Sequence, residues 1–320
     1  MALIVKWEAA IVITNSLVAA TLNSMIFYFV YRYPSLRTSF HATILNCCVA
    51  DLLVSANMLA SAIHNLLGQR NPVAPYTVWC GVTGFVNLLT FVVSVMSLAA
   101  VSLNRYCIVC KRHLHDKFFS RNGTAGYILC VWVLSALLSA PPFFGWARFS
   151  YHAGKSICFA DWKASVSYMI FMISICFCGP IAATLASLYF ILRIKRRVAN
   201  VLIVVEQDAS SCPPSIDRKK QKADKEDWSI SLSIAAMTFV FFVAWGPFVV
   251  VMFLETFGAS SMPRWLDFGT LFLGFLNSTA NPIIWLTANS NFRRAFLKFC
   301  RKNVSQNGFV HSINNTTTGK

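Results

Sequence analysis

Charge is what this sequence has least of. Of its 320 residues only 12% are Asp, Glu, Lys or Arg, and just 12 are acidic. Soluble domains carry about 25% charged and roughly 45–50% apolar residues. Here 56% are hydrophobic and 14% aromatic, with a mean hydropathy of +0.57. A chain so long and so apolar has lipid as its main solvent. The net charge of +16 does not point to nucleic acid, because the basic residues lie in short clusters between apolar runs, as loops at a headgroup surface do. No recurrent period-2 alternation is present, which sets a β-barrel aside. Nor is there an internal repeat, which counts against an inverted-repeat transporter. Nucleophile–base pairs and metal-ligand clusters are also missing, which argues against an enzyme. His41, His64, His113, His115, His152 and His311 all fall near span ends or in loops, where solvated histidines are usual.

What is there is seven apolar stretches, at about 7–31, 40–66, 79–110, 124–145, 165–192, 229–255 and 265–287. Each exceeds the ~20 residues that a helix needs to span the hydrocarbon. The expected fold is therefore all-α, a seven-transmembrane helix bundle. Its connectors set the orientation. All but six of the 28 Lys and Arg fall on one face; the exceptions are Lys6, Arg70, Arg148, Lys155, Lys163 and Arg264. The positive-inside rule then puts the N-terminus outside and the C-terminus in the cytoplasm. The first run is too long for a cleavable signal and lacks a small-residue cleavage site, so it serves as its own insertion signal.

After the seventh stretch, Phe292, Phe296 and Phe299 share a helix face with basic residues between them. That pattern predicts a short amphipathic helix over 289–300, lying in membrane lipid at the interface. Cys300 at its end is a lipidation candidate or a plain cytosolic thiol. The tail over 301–320 is polar and reads as disordered. Of the 11 cysteines, only Cys80 and Cys158 face an oxidising compartment, which predicts one disulfide holding the second outer loop over the bundle mouth.

Polar residues inside lipid are expensive and functional by default. Span two carries Asp51, span one Asn15, span three Ser94, and span seven Asn277, Ser278 and Asn281. A carboxylate ringed by small oxygen ligands suits a sodium ion; the same residues could equally glue helices by hydrogen bonds with no ion. Pro180, Pro247 and Pro282 each remove a helix hydrogen bond and predict a kink.

Taken together, Asn15, Asn46 with Asp51, Cys80 with Cys158, Asn104-Arg105-Tyr106, Trp132, Pro180, Phe241 with Trp245 and Pro247, and Asn281-Pro282 resemble the rhodopsin-like (class A) G-protein-coupled receptors over about residues 8–300. That resemblance implies a multi-pass plasma-membrane receptor whose partners are a heterotrimeric G-protein and a small-molecule ligand. It implies that Asp51, Ser94, Trp245, Asn277, Ser278 and Asn281 line a sodium pocket. It also implies that Arg105 meets the G-protein when the sixth helix swings out. Asp227, at the inner start of span six, is placed to pair with that arginine.

Three positions depart from the pattern. Asn104 stands where an acidic residue usually partners the arginine, Trp285 replaces the tyrosine of Asn-Pro-X-X-Tyr, and Leu188 takes a fifth-span tyrosine position, with Tyr189 one residue on. Loss of the two hydroxyls weakens support for the active state.

Within the family the runs around Ala140–Trp146 and Cys158–Trp162 are most similar to opsins, and Asn-Arg-Tyr is shared with melatonin-type receptors. A retinal Schiff base needs a lysine amine in the bundle, but no lysine lies deep in any span and the matching position is Phe275. Covalent retinal is therefore not expected. By the same resemblance the ligand pocket would include Asn87, Leu88, Phe91, Met172, Cys176, Phe248, Val249, Met252, Leu271 and Phe275. Asn87 occupies the site of the aspartate that amine receptors use. This lining is apolar, with one amide and no net charge, and suits a small lipophilic or neutral ligand; ordinary packing residues are the plainer reading. The departures also leave open a non-signalling seven-helix protein, such as a scavenger or heterodimer partner, with a transporter further behind.

Overall fold

The computed structural model describes residues 2–67, 77–208, 214–258 and 262–301. The first three spans are α1 (Ala2–Arg32), α2 (Ser39–Leu67) and α3 (Val78–Cys110). A short helix α4 (Arg112–Phe118) leads into the fourth span, α5 (Arg121–Ser139). The fifth combines α6 (Val166–Met172), a π-helical turn (Ile173–Cys178) and α7 (Gly179–Asp208). The sixth is α8 (Pro214–Phe257), and the seventh is α9 (Arg264–Phe275) followed by α10 (Asn277–Ala288). Helix α11 covers 290–301, close to the expected amphipathic helix. Among the described residues, six helical segments are each long and apolar enough to cross a membrane. The seventh crossing is made of two 12-residue halves.

The apolar spans fall where the sequence expectation puts them, with local breaks that it did not show. Span four runs over Asn122–Phe144, but its α-helix stops at Ser139, because Pro141 and Pro142 end the regular helix and open a 3₁₀ turn. The apolar part of span six, Trp228–Phe257, matches the expected run, but the helix that carries it begins earlier, at Pro214. Hydropathy marks only where a helix leaves lipid, and a Lys-rich segment remains helical in water. In span five the irregularity is the π turn just ahead of Pro180, a distortion that proline alone does not announce. In span seven the break falls at Leu276, six residues before Pro282, which lies inside α10.

Span three is the central post, touching α2, α5, α7, α8 and both strands of an outer hairpin. The core forms two main clusters. The outer one gathers around Leu88, Met169, Phe241, Trp245 and Phe248. The inner one surrounds Phe29, Ile44, Ile234, Trp285 and Phe292. Large apolar side chains such as Leu129, Leu137, Phe239 and Val250 point outward, as lipid permits.

Among the described residues the hairpin is the one departure from all-α structure. Strands β1 (Phe149–His152) and β2 (Ile157–Ala160) pair antiparallel with Phe149 opposite Ala160 and His152 opposite Ile157. Cys158 in β2 is disulfide-bonded to Cys80 at the outer start of α3, with Cα atoms 5.2 Å apart. Gly84, one turn further along α3, allows β1 to lie close: a Cβ there would come within 2.9 Å of the Phe149 ring. Four-residue strands are too short for alternation to reveal them in sequence.

Candidate ligand cavity and switch

Below the hairpin lies an apolar cavity of about 30 Å³ lined by Leu88, Phe91, Phe159, Trp162, Met172, Ile173, Phe177, Trp245, Phe248, Val249 and Met252. Six of the expected pocket residues, Leu88, Phe91, Met172, Phe248, Val249 and Met252, are on this wall. The hairpin contributes Phe159, and the turn after it Trp162. Neither belongs to a span, so a reading confined to spans missed them. Asn87 faces elsewhere: its Nδ2 donates to the Cys158 carbonyl at 3.1 Å and its Oδ1 accepts from Asn57 Nδ2 at 2.7 Å. Cys176 and Leu271 are packed in the surrounding core. The volume is about one water's share of liquid, against ~300–1,000 Å³ for sites of drug-sized ligands. A ligand must therefore move side chains to enter.

What holds the roof down is a set of polar contacts at the hairpin tip. Arg264 at the start of α9 donates to Glu8 of α1 through Nε at 2.8 Å and Nη2 at 2.7 Å. Ser156 accepts from Arg264 Nη2 at 2.8 Å and donates to Glu8 Oε2 at 2.8 Å. Asn65 of α2 donates to the Ser156 carbonyl at 2.6 Å. Lys155, only 4% exposed, pairs with Glu255 of α8 at 3.0 Å and with Asp267 of α9. Ser156 adopts φ 57°, a left-handed conformation uncommon for a residue with a Cβ. Gly154 is required because a Cβ there would collide with Asp267. One loop tip thus ties spans one, two, six and seven, while the disulfide ties it to span three.

Beneath the apolar cavity is a smaller one of about 20 Å³, whose lining includes Asp51, Asn87, Phe91, Ser94, Trp245, Phe275, Asn277 and Ser278. Trp245 and Phe91 border both cavities, with ring centroids 4.6 Å apart. Gly274 brings span seven against this tryptophan: a Cβ would sit 2.8 Å from the indole. Asn281 Nδ2 donates to Asp51 Oδ2 at 3.1 Å. Asn277 Oδ1 is buried without a hydrogen-bond partner. Asn23, not Asn15, is the span-one amide that reaches this region. It is fully buried and donates to the Ser278 carbonyl at 3.0 Å; Asn15 instead accepts from Thr279 at 2.7 Å. Among the described residues no cluster of His, Cys, Asp and Glu is arranged to hold a metal.

At the inner end, Asn46 links spans by donating to Ser97 at 2.6 Å and accepting from Trp132 Nε1 at 2.8 Å. Arg105 is buried. Its neighbour Asn104 is also fully buried, with both amide atoms lacking a hydrogen-bond partner. The side chain of Asp227 lies outside the described residues, as do Cys212 and the tail beyond 301. Tyr106 packs on Phe190 with centroids 5.9 Å apart. Trp285 is buried against Phe40 and Phe292, at 6.0 and 6.2 Å, so it fastens span seven to span two and α11. Leu188 packs at the edge of this inner core, while Tyr189 faces outward.

The family model described as 7 transmembrane receptor (rhodopsin family) matches residues 22–285. The chain belongs to the rhodopsin family of seven-transmembrane receptors. Among curated relatives, this receptor is 27% identical to melatonin receptor type 1C of Gallus gallus over 90% of its own length and 80% of that protein. It is also 27% identical to the blue-sensitive opsin of Gallus gallus, over 87% and 75%. Its fold superposes on squid rhodopsin with a TM-score of 0.82, at 19% identity, over 93% of this chain and 85% of that one. The receptor is accordingly a multi-pass membrane protein and not an enzyme.

Proposed function

We propose that this G-protein-coupled receptor senses a small lipophilic or uncharged ligand at its outer face and passes the signal to heterotrimeric G-proteins at the plasma membrane. The N-terminus is outside and the basic C-terminal face is cytoplasmic. The observation that carries the reading is the stacking of two cavities on one side chain: Trp245 is the floor of the apolar cavity and a wall of the polar one. A ligand that opens the upper space pushes on this indole, and the Gly274 contact passes the push to span seven. The Asn281–Asp51 hydrogen bond then has to rearrange, and Pro247 lets the inner part of span six move. Arg105, Tyr106 and Pro282 line the path to the G-protein.

The cavity supplies no amine for a Schiff base, since Phe275 stands at the position of the opsin lysine, and no carboxylate for a cationic ligand. The lower cavity fits a sodium ion. Asp51 would supply a carboxylate, Asn277 Oδ1 an orphaned acceptor, and Ser94 and Ser278 further oxygens, beside Trp245, with Asn281 holding Asp51 through its Nδ2. Hard oxygen donors of this kind are what a small hard cation selects. Bound there, it would favour the inactive packing of these side chains.

The test is a thermal-shift screen of the purified receptor with uncharged lipophilic compounds. Hits stabilise the wild type, lose their effect in Leu88→Trp, and alter G-protein dissociation in cells. Charged polar hits that still bind the Leu88→Trp protein would sink the ligand assignment. Trp285 and Leu188 favour one rival, a non-signalling protein of the same fold, because each fills an inner position without a switching hydroxyl.

A further inference from the structure

The largest cavity among those described is neither of the two stacked on Trp245. It is a vestibule of about 180 Å³ between the hairpin and the outer end of span six, room for about six waters. Its floor is Phe159, Trp162 and Met252, and the same three residues form the roof of the apolar cavity. This septum is thin: Phe159 packs edge-on against Phe248 at 6.1 Å, and Phe248 against Trp245 at 5.8 Å.

The vestibule walls carry opposite charges. On the span-six side is Glu255, whose Oε2 accepts from Lys155 at 3.0 Å. Lys155 also pairs with Asp267, so two part-buried carboxylates share one ammonium. With Arg264, which is bound to Glu8 and also lies near Asp267, three carboxylates in that corner share two cations, and Glu255 lines the vestibule, where a further cation can reach it. Lys163, also on the lining, is exposed and has no ion pair among the described residues. The remaining carboxylate, Asp161, is matched by Arg148 at 2.9 Å.

The geometry points to a second binding site in this vestibule for a small zwitterion of free α-amino-acid type with an apolar side chain. Its ammonium pairs with Glu255, its carboxylate with Lys163, and its side chain lies on the Phe159–Trp162–Met252 septum. A purely cationic or purely anionic ligand uses only one wall. An apolar one covers Glu255 and Lys163 without giving either a new partner. Because the septum is shared, occupancy of the vestibule presses on the roof of the apolar cavity and modulates whatever binds there. The site stands on its own charges and does not depend on the ligand proposed for the apolar cavity.

The experiment is calorimetric titration of the purified receptor in lipid nanodiscs, without G-protein, using L-leucine and L-phenylalanine. Phenethylamine and 3-phenylpropionate serve as the half-ligands. Either amino acid is expected to bind at least tenfold more tightly than either half-ligand. Lys163→Gln and Glu255→Gln are each expected to weaken it at least tenfold. Should Glu255→Gln fail to fold, Lys163→Gln, on the exposed rim, decides alone. The proposal is overturned if neither amino acid binds at millimolar concentration, if a half-ligand binds as tightly, or if Lys163→Gln changes affinity less than twofold. Because no signalling is read, such a failure leaves the apolar-cavity reading untouched.

Discussion

Replacing Glu8 by Gln should unfasten the roof of the receptor without unfolding the bundle. Glu8 accepts two hydrogen bonds from Arg264, at 2.8 and 2.7 Å, and one from Ser156 at 2.8 Å. Removing one partner of a buried, hydrogen-bonded ion pair costs about 3–5 kcal/mol, mainly because the other charge is stranded. The Arg264 side chain is 25% exposed, so water recovers part of the loss, and an exposed pair is worth under ~1 kcal/mol. An intermediate figure of about 1.5–2.5 kcal/mol follows. At 1.4 kcal/mol per decade, that raises the open population of the hairpin tip roughly 10- to 60-fold. Hydrogen exchange read by mass spectrometry should therefore accelerate by that factor in peptides covering 149–160. Peptides from the inner halves of spans two and three should not change, because the disulfide and the inner core are intact. Exchange within threefold of wild type would refute the clamp, and so would a uniform acceleration over the whole bundle.

Four further outcomes follow from the same contacts. Asn104→Asp places a carboxylate beside Arg105 where the amide now makes no hydrogen bond; a charge-assisted bond worth about 1.5–3 kcal/mol should cut ligand-free signalling about tenfold, and unchanged basal signalling counts against it. Sodium at ten times its dissociation constant should stabilise the wild type by about 1.4 kcal/mol, or roughly 2–4 °C. Asp51→Asn should abolish that shift, and potassium should not reproduce it. Burial, and then the Lys155 ammonium, hold the His152 imidazole below its usual range, with Asp161, Glu255 and Asp267 opposing. The opened hairpin consequently takes up more protons than the closed one below pH ~6.5, so closure weakens as pH falls from 7 towards 5. Once the slowing of intrinsic amide exchange with falling pH is divided out, protection of β1 should drop over that window, and His152→Gln should flatten the response.

The bundle itself was legible because burial in lipid leaves a coarse signal: seven runs too apolar for water and a basic bias in the connectors. The disulfide was legible because sidedness left two candidate thiols. Asp51 meeting Asn281 followed from a rare carboxylate and an i, i+4 amide pair. What escaped is what depends on chain crossings rather than on local composition. Phe159 and Trp162 enter the cavity from a loop, and only the pairing of two four-residue strands aims them there. Asn23 and Asn15 lie on one helix and are alike in sequence; only packing against Ser278 or Thr279 tells them apart. Asn87 looked like a ligand amide until both of its polar atoms were found bonded to Asn57 and to the Cys158 carbonyl. The Glu8–Arg264 pair joins residues 256 positions apart, though each is one of few charges on the outer face, and a search for their partners would have matched them.

On the function proposed above, this bundle carries a change at Trp245 to a G-protein through Arg105. The most direct measurement is nucleotide exchange on purified Gi, Gs and Gq heterotrimers, driven by the receptor in nanodiscs without added ligand. The account predicts accelerated exchange on at least one of them, lost in Arg105→Ala while the thermal unfolding of that variant stays within a few degrees of wild type. No acceleration on any of the three by folded wild-type receptor, or acceleration that survives Arg105→Ala, would contradict it.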